Sequence, residues 1–148
     1  MLDLVFYLKK IAFLVNQKIE TMSELTQIPN QLNVYYLPDS ETSKQTLAIL
    51  GESRVPVHTV NLLLDPLTPT QLEEILDGLG MHPEALVCKE SQEYKELFPE
   101  VDLDTEDWLT LISKHPEIIR QPIAQRGRKV MLVKVPTDIL KMLEVQMN

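Results

Sequence analysis

The sequence predicts an α/β fold: a four-stranded mixed sheet with flanking helices and a helical insert. Two observations predict it. Short runs rich in Val, Ile and Tyr alternate with helical stretches in the order β-α-β, several helices, then β-β-α. The turn residues between them stand where helix caps and hairpins need them. A chain of 148 residues is long enough for one domain with a real core.

Each element has a local reason. "LNVYYL" (32–37) alternates and is rich in Val and Tyr, so it reads as a strand. Thr42 to Glu52 reads as a helix, with Ser40 and Thr42 as cap candidates and Gly51 at its end. "VPVHTVNLL" (55–63) is a second β-rich run. Two parallel strands need a crossover, and the intervening helix supplies it. In "LTPTQLEEILDGLG", Thr68 caps, Pro69 opens the helix, Glu73 and Glu74 lie in its early turns and Gly80 stops it. "HPEALVCK" and "SQEYKELF" are short helical pieces. "DTEDWLTLISKHP" is a helix capped at Asp104 or Thr105 and ended before Pro116, with Trp108 on its core face. "QPIAQ" and "RKVMLVKV" read as a hairpin turning at Arg126–Gly127, which leaves Arg126 and Arg128 as solvated turn residues. "PTDILKMLEV" is a final helix with Pro136 at its start. That order is thioredoxin-like, with a helical segment between the halves. No internal repeat or low-complexity tract interrupts it.

Composition narrows the function classes. The net charge of -8 argues against non-specific binding to DNA, RNA or anionic lipid. The basic run "RQPIAQRGRK" is the one positive patch, and the first place to seek an acidic partner or small anion. The single cysteine, Cys88, allows no internal disulfide and fits a reducing cytoplasm. With one cysteine and His58, His82 and His115 scattered, no zinc-ligand cluster forms, so no metal is expected. No apolar run approaches the ~20 residues of a membrane span, so no membrane insertion is expected. Residues 1–31 form an N-terminal extension, and 32–148 the folded domain. Within 1–21, Lys9 and Lys10 interrupt the apolar residues and no small-residue cleavage site follows, unlike a signal peptide. Three readings of that stretch remain: an amphipathic helix on the domain or a membrane surface, a partner-binding extension, or sequence upstream of a start at Met22.

The motifs from Val34 to Leu143 carry a resemblance. "YYLPDSETSKQTLAIL", "LLLDPLTPTQLEEILDGLG", "ALVCKESQEYKEL" and "LISKHPEIIRQPIAQRGRKVMLVKVPTDILKML" stand in order. Together they resemble the arsenate reductase (ArsC) family, which includes the Spx-type transcription regulators. The resemblance implies an ArsC-type thioredoxin-like fold. It also implies a nucleophilic cysteine where the first strand turns into the first helix, and arginines from distant segments around the oxyanion. Glutathione and a glutaredoxin would then reduce the arsenic intermediate. Carried over residue by residue, the nucleophile position holds Ser40. One arginine position holds Cys88; another holds Gln121, with Arg120 beside it. The last falls on Val135, or on Lys134 if the hairpin slips by one. Lys44 keeps the basic residue of the first helix, and Pro122 matches the family's cis-proline. Thr42, Ser43, Lys44, Arg120 and Lys134 are the remaining anion-binding candidates.

The departures decide the expectation. A serine hydroxyl needs an adjacent base, and its arsenic ester cannot enter thiol–disulfide exchange. Ser40 or Thr42 therefore reads as an N-cap. Asp39 and Glu41 stabilise a helix start and repel an incoming oxyanion. Cys88 is an alternative thiol: Lys89 beside it would favour a thiolate, and a helix C-terminus there would oppose one. The expected protein keeps the scaffold without the reductase chemistry. It binds or regulates a protein partner in the cytoplasm, without direct nucleic-acid binding. It uses no cofactor, and glutathione and glutaredoxin enter only if reductase activity is retained. The alternatives are a divergent thiol oxidoreductase using Cys88, or an Spx-like regulator contacting RNA polymerase.

Overall fold

The computed structural model describes residues 30–97 and 102–144. The three readings of residues 1–21 concern a stretch outside the described residues. Strands β1 (Leu32–Tyr36), β2 (Val57–Asn61), β3 (Ile123–Arg126) and β4 (Lys129–Leu132) form one sheet in the order β2-β1-β3-β4. β1 runs parallel to β2 and antiparallel to β3, which pairs antiparallel with β4. The sheet is therefore mixed, as the element order requires.

Helix α1 (Glu41–Leu50) connects β1 to β2. It starts one residue earlier than Thr42, because Ser40 takes the cap: its Oγ accepts from Ser43 N. Its C-terminal Gly51 keeps right-handed backbone angles. Helix α2 (Pro69–Leu79) has the reciprocal cap its sequence predicts. Thr68 Oγ1 accepts from Gln71 N at 3.2 Å, and Thr68 N donates to Gln71 Oε1 at 2.9 Å. Gly80 at φ 65° ends it, a conformation that costs an L side chain strain. Helix α3 (Gln92–Leu97) is short, and α4 (Thr105–Lys114) is capped by Asp104 Oδ1 on Asp107 N.

Three predicted elements are smaller or different. The "HPEALVCK" piece is a single 3-10 turn, Pro83–Leu86, and Cys88 lies beyond it, after the extended Val87. The last helix is a 3-10 turn, Pro136–Ile139, followed by the short α5 (Leu140–Leu143). The hairpin turns at Gly127–Arg128, with Gly127 at φ 62°. Arg126 is the larger correction: it is buried, not a solvated turn residue. Its guanidinium donates to Met142 O at 2.9 Å, to Leu143 O at 3.0 Å and to Asn30 Oδ1. A cation here meets the exposed carbonyls at the end of α5. Local sequence signals a turn, but the fold has brought the last helix over it.

Alternation along the strands sorts the core. Tyr35 and Ile123 face α2 and α4, within a cluster that includes Leu72, Ile75, Trp108 and Ile112. Leu32, Val34 and Ala124 face the other way, with Leu50, Ile139 and Met142. Trp108 is 1% exposed, as its helical spacing predicts.

Candidate functional site

The site grows from the carboxyl end of β1. Pro38 and Asp39 turn the chain, closed by Ser40 N donating to Leu37 O at 3.2 Å. Ser40 then opens α1. Its side chain is already committed as a cap, which satisfies one amide that a bare helix start would leave open.

A second segment comes from the far end of the chain. Val87 and Ile119 form an isolated antiparallel bridge; Cys88 N donates to Ile118 O at 2.7 Å, and Arg120 N to Leu86 O at 2.8 Å. This bridge sets Cys88 and Arg120 side by side. The next bond, Gln121–Pro122, is cis. Val133 N donates to Pro122 O at 2.9 Å, which delivers Lys134 to the same rim.

The result is a groove of about 580 Å³ lined by Ser40, Thr42, Cys88, Arg120, Gln121 and Lys134, with Met81 and Leu132 among its apolar walls. Residues 94 positions apart in sequence, from Ser40 to Lys134, thus meet at one surface. Two of the candidates do not join them. Ser43 is fully buried and donates its hydroxyl to Gln121 Oε1. Lys44 is exposed and does not line the groove. Neither Asp39 nor Glu41 lines it either; Glu41 accepts from Gln45 Nε2 at 3.4 Å along the helix.

The electrostatics do not favour a nucleophile. Burial, then the Glu90 charge, push the Cys88 thiol above its ordinary range, against the pull of Arg120. Lys89 does not activate it, contrary to the sequence expectation. Its ammonium pairs with Glu84 and lies 5.5 Å from the centre of the Trp108 ring. Arg120 is engaged as well, gripping both Glu90 oxygens at 2.9 and 3.2 Å. That pair is solvent-exposed, so breaking it costs little. Glu90 is the functional neighbour that sequence reading missed. A carboxylate two residues from the thiol was visible, but its link to Arg120 needs the bridge.

Gln121 was also more than a missing arginine. Its Oε1 accepts from Leu37 N at 3.2 Å and from the Ser43 hydroxyl. The backbone donor fixes which amide atom faces the turn, since only the oxygen can accept. No group of three or more His, Cys, Asp or Glu suited to a metal occurs among the described residues. Among them, too, no helix is long and apolar enough to cross a membrane.

Known proteins resemble this chain in sequence and fold. The family model described as ArsC family matches residues 35–142. Global transcriptional regulator Spx 2 of Lactococcus lactis is 27% identical over 100 residues, 67% of this chain and 76% of that protein. The arsenate reductase of Acidiphilium multivorum is 28% identical over 95 residues, 64% of this chain and 67% of that one. In three dimensions, an arsenate reductase from Vibrio cholerae superposes with a TM-score of 0.68 at 21% identity, covering 77% of this chain and 98% of its own. That last likeness speaks for the fold alone.

Proposed function

The chain belongs to the ArsC family, and on that premise we propose that it is a binding or regulatory protein without glutaredoxin-coupled arsenate reduction. One observation carries the reading. The residue at the strand-to-helix turn, where the family resemblance calls for a cysteine, is Ser40, and its oxygen serves as the cap of α1. Among the described residues no histidine lines the groove with it. Among the described residues His82 caps its own 3-10 turn, and His115 pairs with Glu117, both outside the groove.

The groove itself supports a binding role. It offers hydroxyls, apolar walls and two cations, of which Arg120 is held by a carboxylate that a ligand can displace. A protein partner in the cytoplasm fits the lone cysteine and the net charge. Contact with RNA polymerase in the Spx manner is the special case of that reading. A second reading, a divergent thiol oxidoreductase, is favoured by one fact: Cys88 lines the groove next to Arg120.

Purified protein assayed with arsenate, glutathione and glutaredoxin separates the two. The binding reading predicts no turnover above background. Turnover that vanishes in Cys88→Ser would replace it with the oxidoreductase reading.

A further inference from the structure

Strand β2 is the outermost strand on its side of the sheet, paired among the described residues with β1 alone. Along such a strand, successive backbone groups point alternately toward the neighbour and away from it. Pro56 O accepts from Leu32 N at 2.8 Å and Leu62 N donates to Tyr36 O at 2.9 Å, so the even positions face β1. Val57, Thr59 and Asn61 therefore turn their main-chain groups outward. Edge strands are usually blunted by a charge, a bulge or a proline. "VHTVN" carries no Asp, Glu, Lys or Arg, and its register with β1 runs without a bulge. Pro56 sits at an inward position, so it removes no outward donor. The opposite edge, β4, differs: it begins at Lys129, next to Arg128.

At the end of β2 the chain turns at once. Leu64 N and Asp65 N both donate to Asn61 O, at 3.1 and 2.9 Å, and Leu63 N donates to Asn61 Oδ1 at 3.0 Å. The turn is pinned, yet it holds Leu64 82% and Leu63 48% exposed. Two adjacent leucines fixed in solvent beside an open edge are apolar surface that a contact can bury. Arg54 stands at the other end of the strand, exposed like Asp65. Among the described residues neither of the two makes an ion pair.

We propose that the β2 edge is a docking surface for a second copy of this chain, joined antiparallel across a two-fold axis into one continuous sheet. Outward groups pair only with outward groups, odd positions with odd. The register that uses the whole strand sets Thr59 against Thr59 of the second copy, and Val57 against Asn61 of the second copy. Thr59 exchanges both of its main-chain bonds across the axis. Asn61 adds its N–H toward Val57 O, since its own carbonyl is taken within the turn. Antiparallel order lays the start of each strand beside the end of the other. Arg54 of one copy then meets the Leu63–Asp65 turn of the second, cation to carboxylate, and the axis repeats the contact. Glu52, the other charged group at that end, stands farther along the chain from the strand than Arg54. Register and charge thus select a second copy as the occupant over an unrelated strand. One short strand per copy makes a small interface, so the association is weak and reversible. No residue of 52–65 lines the groove, so pairing leaves it open whatever it binds.

Sedimentation of the full chain over a range of concentrations tests this. The expected mass rises with concentration from that of one chain toward that of two. A single-chain mass throughout overturns the proposal, as does growth beyond two chains, which a closed two-fold contact forbids. Leu64→Asp changes only an exposed side chain and should weaken the dimer about tenfold or more. Arg54→Glu and Asp65→Arg should each weaken it, and the double variant, which swaps the two charges, should bind more tightly than either. Thr59→Pro removes an outward donor without breaking a bond to β1 and should leave a monomer. A dimer that resists Leu64→Asp, a charge swap no tighter than the single variants, or a folded Thr59→Pro that still dimerises overturns this edge as the contact. The leucine and charge variants decide the matter even where Thr59→Pro fails to fold.

Discussion

Ser40 can be tested as a cap by substituting only its oxygen. Ser40→Ala removes the acceptor for Ser43 N, now met at 3.2 Å, and leaves the backbone bond from Lys44 N to Ser40 O at 3.0 Å untouched. Losing a cap of this type costs about 1 kcal/mol. For a domain of this size that corresponds to a Tm lower by about 4 °C. Ser40→Gly should lose only a few tenths of a kcal/mol. Ser40→Asp keeps an acceptor and adds a favourable charge at the helix start, offset by Asp39 and Glu41 beside it. It should stay within about 0.5 kcal/mol of wild type at pH 7. Its carboxyl would be held below its ordinary value, so this parity fades as pH falls through the folded pKa. Thermal and urea unfolding of the four proteins gives the order wild type ≈ Asp > Gly > Ala. An alanine variant as stable as wild type, or an aspartate variant as unstable as alanine, would refute the assignment of this oxygen to the cap.

Other outcomes follow from the same contacts. Alkylation of Cys88 by iodoacetamide should show a pH midpoint above that of a free cysteine, since burial and Glu90 hold the thiol protonated. Glu90→Gln should lower that midpoint and Arg120→Gln raise it further; a wild-type midpoint below the free-thiol value contradicts both. Gly78→Ala should destabilise although it sits in α2. A Cβ there would lie 2.4 Å from Val130 Cγ2, and overpacking costs about 1–3 kcal/mol against a helix gain of about 0.5–1. Val130→Ala should relieve it in a double-mutant cycle read by urea unfolding; additive losses would exclude the clash. Trp108→Ala should cost about 3–5 kcal/mol in the same measurement.

The fold was legible because its signals are local. Thr68, Pro69 and Gly80 bracket α2, and alternating apolar residues mark β1, without reference to anything distant. Local signals also mislead where a distant element intervenes. Arg126 beside a glycine reads as a turn residue, and only the docking of α5 turns it into a buried cap. The site divides along the same line. Ser40, Thr42, Cys88, Arg120 and Lys134 could be placed by resemblance, and the groove gathers them. The state of each could not be read from sequence. Glu90 neutralises Arg120, Glu84 removes Lys89, and Gln121 reaches Leu37 and Ser43, contacts set by the bridge at Val87–Ile119 and the loop at Pro122. The acidic turn residues Asp39 and Glu41 drew attention in sequence, yet neither lines the groove.

On the binding reading, this scaffold carries out no thiol chemistry on an oxyanion. Intact-mass measurement of the protein incubated with arsenate and glutathione tests it most directly. An unmodified chain is expected. A glutathione or arsenic adduct that forms only when arsenate is present and maps to Cys88 would contradict it.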